Sequence, residues 1–435
     1  MNRKIGIRFE DKYVMERRVA ITPEHVRKLI QDEGLEVYVE PSAKRIFSDD
    51  EFKNAGAVLT SDLNAAPVIF GVKEMPNAFF EYKKTYIFFS HVIKGQSYNM
   101  PMLKAMMEKK CNLIEYEKIT DDAGKRLIFF GRFAGLAGMI NSLWSLGQRL
   151  KVQGIDNPFS VLKQSHFYHS LDEAKSAISM VGDEIKKNGL PKALCPLTIG
   201  FTGYGNVSKG AQEIIDLLPI VEISPKELLS LTKVGVINNK VVYKIVFKES
   251  DISEPRVEDA TFELQHYYKH PEAYKNAFGK FVPHLCVLMN CMYWDINYPR
   301  IVTKDYLAEL YAKGEMKLKV IGDITCDPNG SIECTHTGTA IEDPVFVYDP
   351  QTRKPKMGFE GDGILIMAVD ILPSELPRDS SIAFGDALFN YLKPITTANY
   401  QQSFELLDLP GPIKRALILH NGELTPDYQY IKKFL

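Results

Sequence analysis

The amino-acid sequence predicts an α/β protein of about two domains, with parallel sheets covered by helices. Three observations carry that prediction. Short apolar runs alternate with helix-like stretches in the first half of the chain. Those runs are apolar on both faces, as strands covered by helices on each side must be. A second strand–turn–helix unit with a glycine-rich turn begins near Leu197, and 435 residues are more than one hydrophobic core usually organises.

Taken in order, Lys4–Glu10 reads as a strand. Thr22 then caps a helix that opens on Pro23 and turns Val26, Leu29 and Ile30 inward. Gly34 ends it and Leu35–Glu40 returns as a strand. Ser48 with Glu51 three residues on has the spacing of a capping box. Val68–Val72, Thr85–Ser90 and Leu113–Tyr116 are compact β-type runs, and Ala134–Val152 and Leu171–Lys187 are helical. Residues from about 223 to 319 lack clear periodicity, so they are read as an insertion; Lys317–Ile324 follows as a strand. The C-terminal reach reads as a helix around Phe384–Leu392 and another around Tyr400–Leu407.

Composition removes several functions. There are 53 basic and 55 acidic side chains, so no basic excess exists to neutralise a nucleic-acid backbone. The most apolar segment, Leu127–Ile140, is short and broken by Arg132, so no membrane span is expected. Six scattered cysteines with no Cys-x-x-Cys pair speak against a disulfide framework and a zinc site, and no metal is expected. A cytoplasmic protein is the expectation.

The sharpest motif is Leu197-Thr198-Ile199-Gly200-Phe201-Thr202-Gly203-Tyr204-Gly205-Asn206-Val207-Ser208. A buried strand enters Gly-x-Gly and leaves as a helix. Gly203 would permit the tight turn, and Gly205 would let the backbone approach a pyrophosphate at the helix N-terminus. Asn206, Val207 and Ser208 open that helix, Ser208 standing where a third glycine is usual. Glu222 lies in the window where an acid holds the ribose hydroxyls. It would repel a 2′-phosphate, yet Lys226 and Lys233 follow and would offset it, so NAD and NADP both stay open.

Two residues close apolar strands where α/β sheets present chemistry: Lys73 after Val68–Val72, and His91 after Tyr86–Ser90. Desolvation lowers the pKa of a lysine, and a histidine titrates near neutrality unaided. Either residue alone reads more simply as the polar end of a strand that stops at the surface. Arg17, Arg18 and Arg132 are candidate carboxylate clamps, although the glycines and alanines around Arg132 read more simply as close helix packing.

Together, Glu16-Arg17-Arg18-Val19-Ala20-Ile21-Thr22-Pro23, Gly71-Val72-Lys73, Phe88-Phe89-Ser90-His91, Phe130-Gly131 with Ala134–Asn141, and Thr202–Ala211 form a recognisable series. Gly322-Asp323-Ile324-Thr325, Gly330-Ser331-Ile332-Glu333 and Leu372-Pro373-Ser374-Glu375-Leu376-Pro377 extend it. The series resembles the lysine–ketoglutarate reductase domain of the aminoadipic semialdehyde synthase family and, more distantly, lysine-forming saccharopine dehydrogenase and alanine dehydrogenase. The resemblance implies two Rossmann-like domains with parallel sheets flanking a substrate cleft, 1–133 plus 385–435 and 134–384, with Lys73 and His91 as acid–base pair. It places Arg18, Glu117, Arg132 and Asp323 toward the substrate. It implies condensation of L-lysine with 2-oxoglutarate to saccharopine, with NADP slightly favoured over NAD. The second catalytic half of the bifunctional enzyme is missing from this chain, so a separate enzyme would consume the product. A homo-oligomer is left open. The rival readings are another amino-acid dehydrogenase of the same fold and a non-catalytic NAD(P)-binding regulator.

Overall fold

A computed structural model describes residues 2–231 and 237–435; Lys233 lies outside the described residues. The chain divides into two compact units, residues 1–130 with 377–435, and residues 131–376.

The first unit holds strands β1 (Lys4–Ile7), β2 (Glu36–Val39), β3 (Val58–Leu59), β4 (Val68–Phe70), β5 (Thr85–Phe88) and β6 (Asn112–Glu115), all parallel to one another. In the second unit come β7 (Leu197–Thr202), β8 (Ile220–Glu222), β9 (Val242–Phe247), β10 (Ser253–Pro255), β11 (Tyr274–Asn276), β12 (Val287–Asn290), β13 (Val320–Asp323), β14 (Val345–Asp349), β15 (Lys354–Met357) and β16 (Ile364–Met367). The chain then returns to the first unit for β17 (Leu417–His420) and β18 (Glu423–Leu424), an antiparallel pair. The first sheet runs β18-β17-β6-β5-β4-β1-β2-β3 and the second β15-β14-β16-β13-β12-β7-β9-β8, while β10 and β11 pair separately.

Sequence and fold agree most closely where local chemistry is strong. The helix Pro23–Gln31 buries Val26 and Leu29 against the first sheet's core. Ser48 Oγ accepts the Glu51 amide at 3.2 Å while Glu51 Oε2 accepts the Ser48 amide at 2.7 Å, a reciprocal cap for Asp49–Asn54. In the second unit the helix Gly131–Val152 packs along the helix Asn206–Ile215. A Cβ on Gly135 would collide with the Val207 carbonyl, and one on Gly210 with that of Arg132. Only glycine allows backbones this near.

Two expected features are corrected. Residues 223–319 are no insertion, because they supply β9 and β12, the strands on either side of β7. Lys244 disguises β9 by interrupting its apolar run. Its stem is buried, and its ammonium reaches Asp216 and Glu222, each at 2.9 Å. Tyr400–Leu407 is not a helix but a run of turns, started where Asn399 accepts the Gln401 amide through its side chain. The helix before it, Pro377–Thr397, is longer than expected.

Candidate active site

Parallel strands end on one edge of a sheet, so residues just past their carboxyl ends collect there. In the first unit Lys73 follows β4, His91 follows adjacent β5, and β1 and β6 flank them with Glu10 and Glu115. Each of these carboxylates holds a neighbouring loop. Glu10 accepts the Val72 amide at 2.7 Å and the Lys73 amide at 2.8 Å. Glu115 accepts the amides of Ser90 (2.8 Å) and His91 (3.1 Å), the Ser90 hydroxyl at 2.5 Å and, through its other oxygen, the Glu117 amide at 3.1 Å. Both are buried. Burial, helped by the charge of Glu16, pushes Glu10 up to about 7 against the pull of its amide donors and Arg8. Burial likewise raises Glu115.

His91 adopts the left-handed backbone region, φ 53°, which is uncommon for its side chain and holds the ring at the strand end. Its Nδ1 lies 2.8 Å from Glu74 Oε1, and Lys12 Nζ reaches the same oxygen at 2.7 Å. Burial alone would raise Glu74, yet the bonds from His91 and Lys12 outweigh it and hold the carboxyl down to about 2. Glu74 is therefore an anion, and it leaves Nε2 as the ring's outward nitrogen. Lys73 lies with its ammonium 5.7 Å from the Tyr13 ring centre. The buried Glu16 takes Arg18 bidentately, at 2.8 and 2.6 Å, while the guanidinium lies 4.2 Å above the Phe130 ring. Burial would raise the Glu16 carboxyl, but Arg18 and then Lys73 lower it. Glu117 stands 3.6 Å from Arg126.

In the second unit Gly203 takes φ +80° and Gly205 caps the helix Asn206–Ile215. Among the described residues nothing lies within 4 Å of a Cβ placed on Gly205, so the approach to this helix N-terminus is open. Ser208 is fully buried, small enough for the packing expected of it. At the ends of β7, β12 and β13, Asn290 joins Thr202 (2.9 Å) to Asp323 (2.8 Å).

Three expected site residues need restating. Arg18, Glu117, Lys73 and His91 gather in the first unit, but Arg132 does not. It begins the helix Gly131–Val152 in the second unit and pairs with Glu213, at 3.0 Å through Nε and 2.8 Å through Nη2. The close Gly135–Gly210 packing brings those two side chains alongside each other. Asp323 is 1% exposed. It accepts bonds from Asn290, Thr325 (2.7 Å) and Thr335 (2.5 Å), so it serves as an internal acceptor rather than a surface facing substrate. Glu222 ends the edge strand β8, one strand removed from β7, with Lys244 on its carboxylate. Sequence reasoning missed Glu10, Glu74 and Glu115; the only signal was their place at strand ends beside the candidates.

One sheet edge crowded with lysine, histidine and carboxylates, and another ending in a Gly-x-Gly turn at a helix N-terminus, fit the class of α/β dinucleotide-dependent oxidoreductases. Known proteins sharpen this. Residues 6–137 match the alanine dehydrogenase/PNT N-terminal domain. The chain is 38% identical to alpha-aminoadipic semialdehyde synthase of Arabidopsis thaliana over 99% of its own length and 41% of that protein. With the mitochondrial mouse protein of that name the figures are 36%, 99% and 47%, so the chain spans under half of these relatives. It is 30% identical to the saccharopine dehydrogenase [NAD(+), L-lysine-forming] of Emericella nidulans, covering 88% of this chain and 90% of that one. An L-alanine dehydrogenase structure shares the fold at TM-score 0.63 and 17% identity, covering 99% of this chain and all of that one. The chain belongs to the saccharopine dehydrogenase family, oxidoreductases acting on CH–NH groups. Among the described residues no helix is long and apolar enough to cross a membrane.

Proposed function

We propose that the chain is a lysine–2-oxoglutarate reductase, condensing the ε-amine of L-lysine with the ketone of 2-oxoglutarate and reducing the imine to saccharopine. The carrying observation is that Lys73 and His91 stand on adjacent strand ends, each with its backbone N–H on a buried carboxylate. In this reading the first unit binds the carbon substrates and the second the cofactor.

The amine attacks the keto carbon, its proton passes to the departing hydroxyl, water leaves, and an imine remains. A proton donor and a proton acceptor of differing charge are needed at one carbon. His91 meets this through Nε2, because Glu74 anchors Nδ1, and Lys73 supplies the second exchangeable proton. Arg18, backed by Glu16 and Phe130, suits a substrate carboxylate, and Glu117 an ammonium. Gly203, Gly205, Asn206, Val207 and Ser208 would hold a reduced nicotinamide dinucleotide, which supplies hydride to the imine carbon when bound. Asp323 keeps Asn290 and Thr335 in place behind that turn. The product carries three carboxylates. The Emericella relative's name favours one further reading, the same chemistry run toward lysine.

Absorbance of the reduced nicotinamide tests the proposal. Oxidation that requires L-lysine and 2-oxoglutarate together supports it. Oxidation with pyruvate and ammonia instead identifies an alanine dehydrogenase, and dinucleotide binding without turnover of any pair identifies a regulator.

A further inference from the structure

The second unit carries an apolar surface that the proposed reaction does not use. A groove of about 950 Å³ runs between the turn Pro158–Val161 and the helix Leu171–Asn188. At one end of it the Leu190 amide donates to the Asn239 carbonyl at 2.8 Å, and Asn239 leads into β9. That end therefore lies toward the amino ends of the second sheet, away from the glycine turn. Val181 and Leu190 are buried beneath the groove, whereas Val161 and Met180 on its walls are 74% and 66% exposed. Two large apolar side chains left open in one concave surface mark a place of contact.

The helix is written symmetrically about Met180. Glu173 stands seven residues before it and Lys187 seven after; Ser176 stands four before and Glu184 four after. Seven residues are about two turns and four about one, so all five share a face. Glu173, Ser176, Met180 and Glu184 line the groove itself, and Lys187 is exposed beside it. If the helix is laid antiparallel on a copy of itself with Met180 at the axis, Glu173 faces Lys187 at both ends. The Ser176 hydroxyl then faces the Glu184 carboxylate, also twice. A two-fold contact requires this self-complementarity. Slipping the pair by three residues would set Glu173 against Glu184, and the like charges would oppose it.

We propose that this face joins two copies of the chain, the helix Leu171–Asn188 crossing its mate antiparallel at Met180. Burial of Met180 and Val161 supplies the apolar centre of the contact, and the paired Glu173 and Lys187 at its rim fix the register.

Sedimentation velocity of the full chain across about 1–100 μM should show a dimer. Met180→Lys should raise its dissociation constant about tenfold or more. Glu173→Lys should weaken the dimer too, and adding Lys187→Glu should recover most of the loss. All three positions lie at the surface, and far-UV circular dichroism checks that each variant is folded. Met180→Cys tests the register: mild oxidation with diamide should link two copies above the wild-type background. Ser176→Cys should not, because its two copies would lie about 12 Å apart along the helix axis, beyond disulfide reach. A chain that stays monomeric throughout, or a dimer that Met180→Lys leaves intact, overturns the proposal. So does equal cross-linking at the two cysteines. None of these readouts involves turnover, so their failure leaves the proposed function standing.

Discussion

The two sheets are built alike, each with eight strands of which six are parallel, yet their carboxyl edges are furnished oppositely. The first edge carries Glu10, Lys12, Lys73, Glu74, His91 and Glu115, ionisable groups bonded to one another or to one another's backbones. Around the glycine turn of the second, the groups are Thr202, Asn290 and Thr335, neutral donors and acceptors converging on the single buried acid Asp323. An edge rich in coupled charges is suited to moving protons, because small changes in environment shift which group holds them. An edge of amides and hydroxyls is suited to holding a ligand at fixed charge. On the proposed function, one architecture would be divided by its loops into a chemical half and a binding half.

That division is broken most severely at Lys73. Lys73→Met should cut turnover by about 10²–10⁴-fold, the usual worth of a general acid–base group, with dinucleotide affinity unchanged. Steady-state rates and fluorescence titration on one preparation separate the two effects. A matching loss of dinucleotide affinity would end the distinction between the halves.

Glu115 sharpens the same contrast from within the protein. Glu115→Ala leaves three amides and the Ser90 hydroxyl without their buried acceptor, so urea unfolding should show a loss of about 3 kcal/mol or more. Glu115→Gln, which keeps an acceptor oxygen, should lose less.

Much of the first half was legible because its signals are local. Apolar runs mark β4, β5 and β6, and the Ser48–Glu51 cap needs only four residues. The second half hides what depends on distant partners. β9 carries Lys244 in its middle, which reads as exposed until Asp216 and Glu222 are seen to receive it. Counting residues from the glycine turn finds Glu222, because spacing along the chain assumes that the next strand in sequence is the next in space. Here it is not. Glu10 and Glu115 were illegible as site residues for a similar reason, since a carboxylate earns its role only from the amides that fold onto it.

Acid–base linkage gives a test of intermediate size. Glu10 has a folded-state pKa raised to about 7 from the ordinary 4.5. Its contribution is present below pH 4.5 and lost as pH rises toward 7, because the folded state keeps a proton the unfolded state has released. Glu74, lowered to about 2, has the opposite sign: its stabilisation stands above pH 4.5 and fades as pH falls toward 2. Urea midpoints between pH 5 and 7 should therefore flatten in Glu10→Gln, by about 1–3 kcal/mol across the window. An unaltered slope would mean that Glu10 is already ionised at pH 5.

The smallest effect is expected at Arg132, and it decides which half owns that residue. Its pair with Glu213 is half exposed, with side chains 47% and 32% accessible, and Lys175 also reaches Glu213 at 2.8 Å. Exposed pairs contribute about 0–1 kcal/mol. Arg132→Gln should therefore cost less than about 1 kcal/mol in urea unfolding and leave KM for both carbon substrates unchanged. A carboxylate clamp would behave otherwise, because losing a bidentate charged bond to substrate weakens binding by about 1.5–3 kcal/mol, or roughly ten- to a hundredfold in KM. Such a rise would return Arg132 to the substrate and show that its pairing with Glu213 gives way when substrate binds.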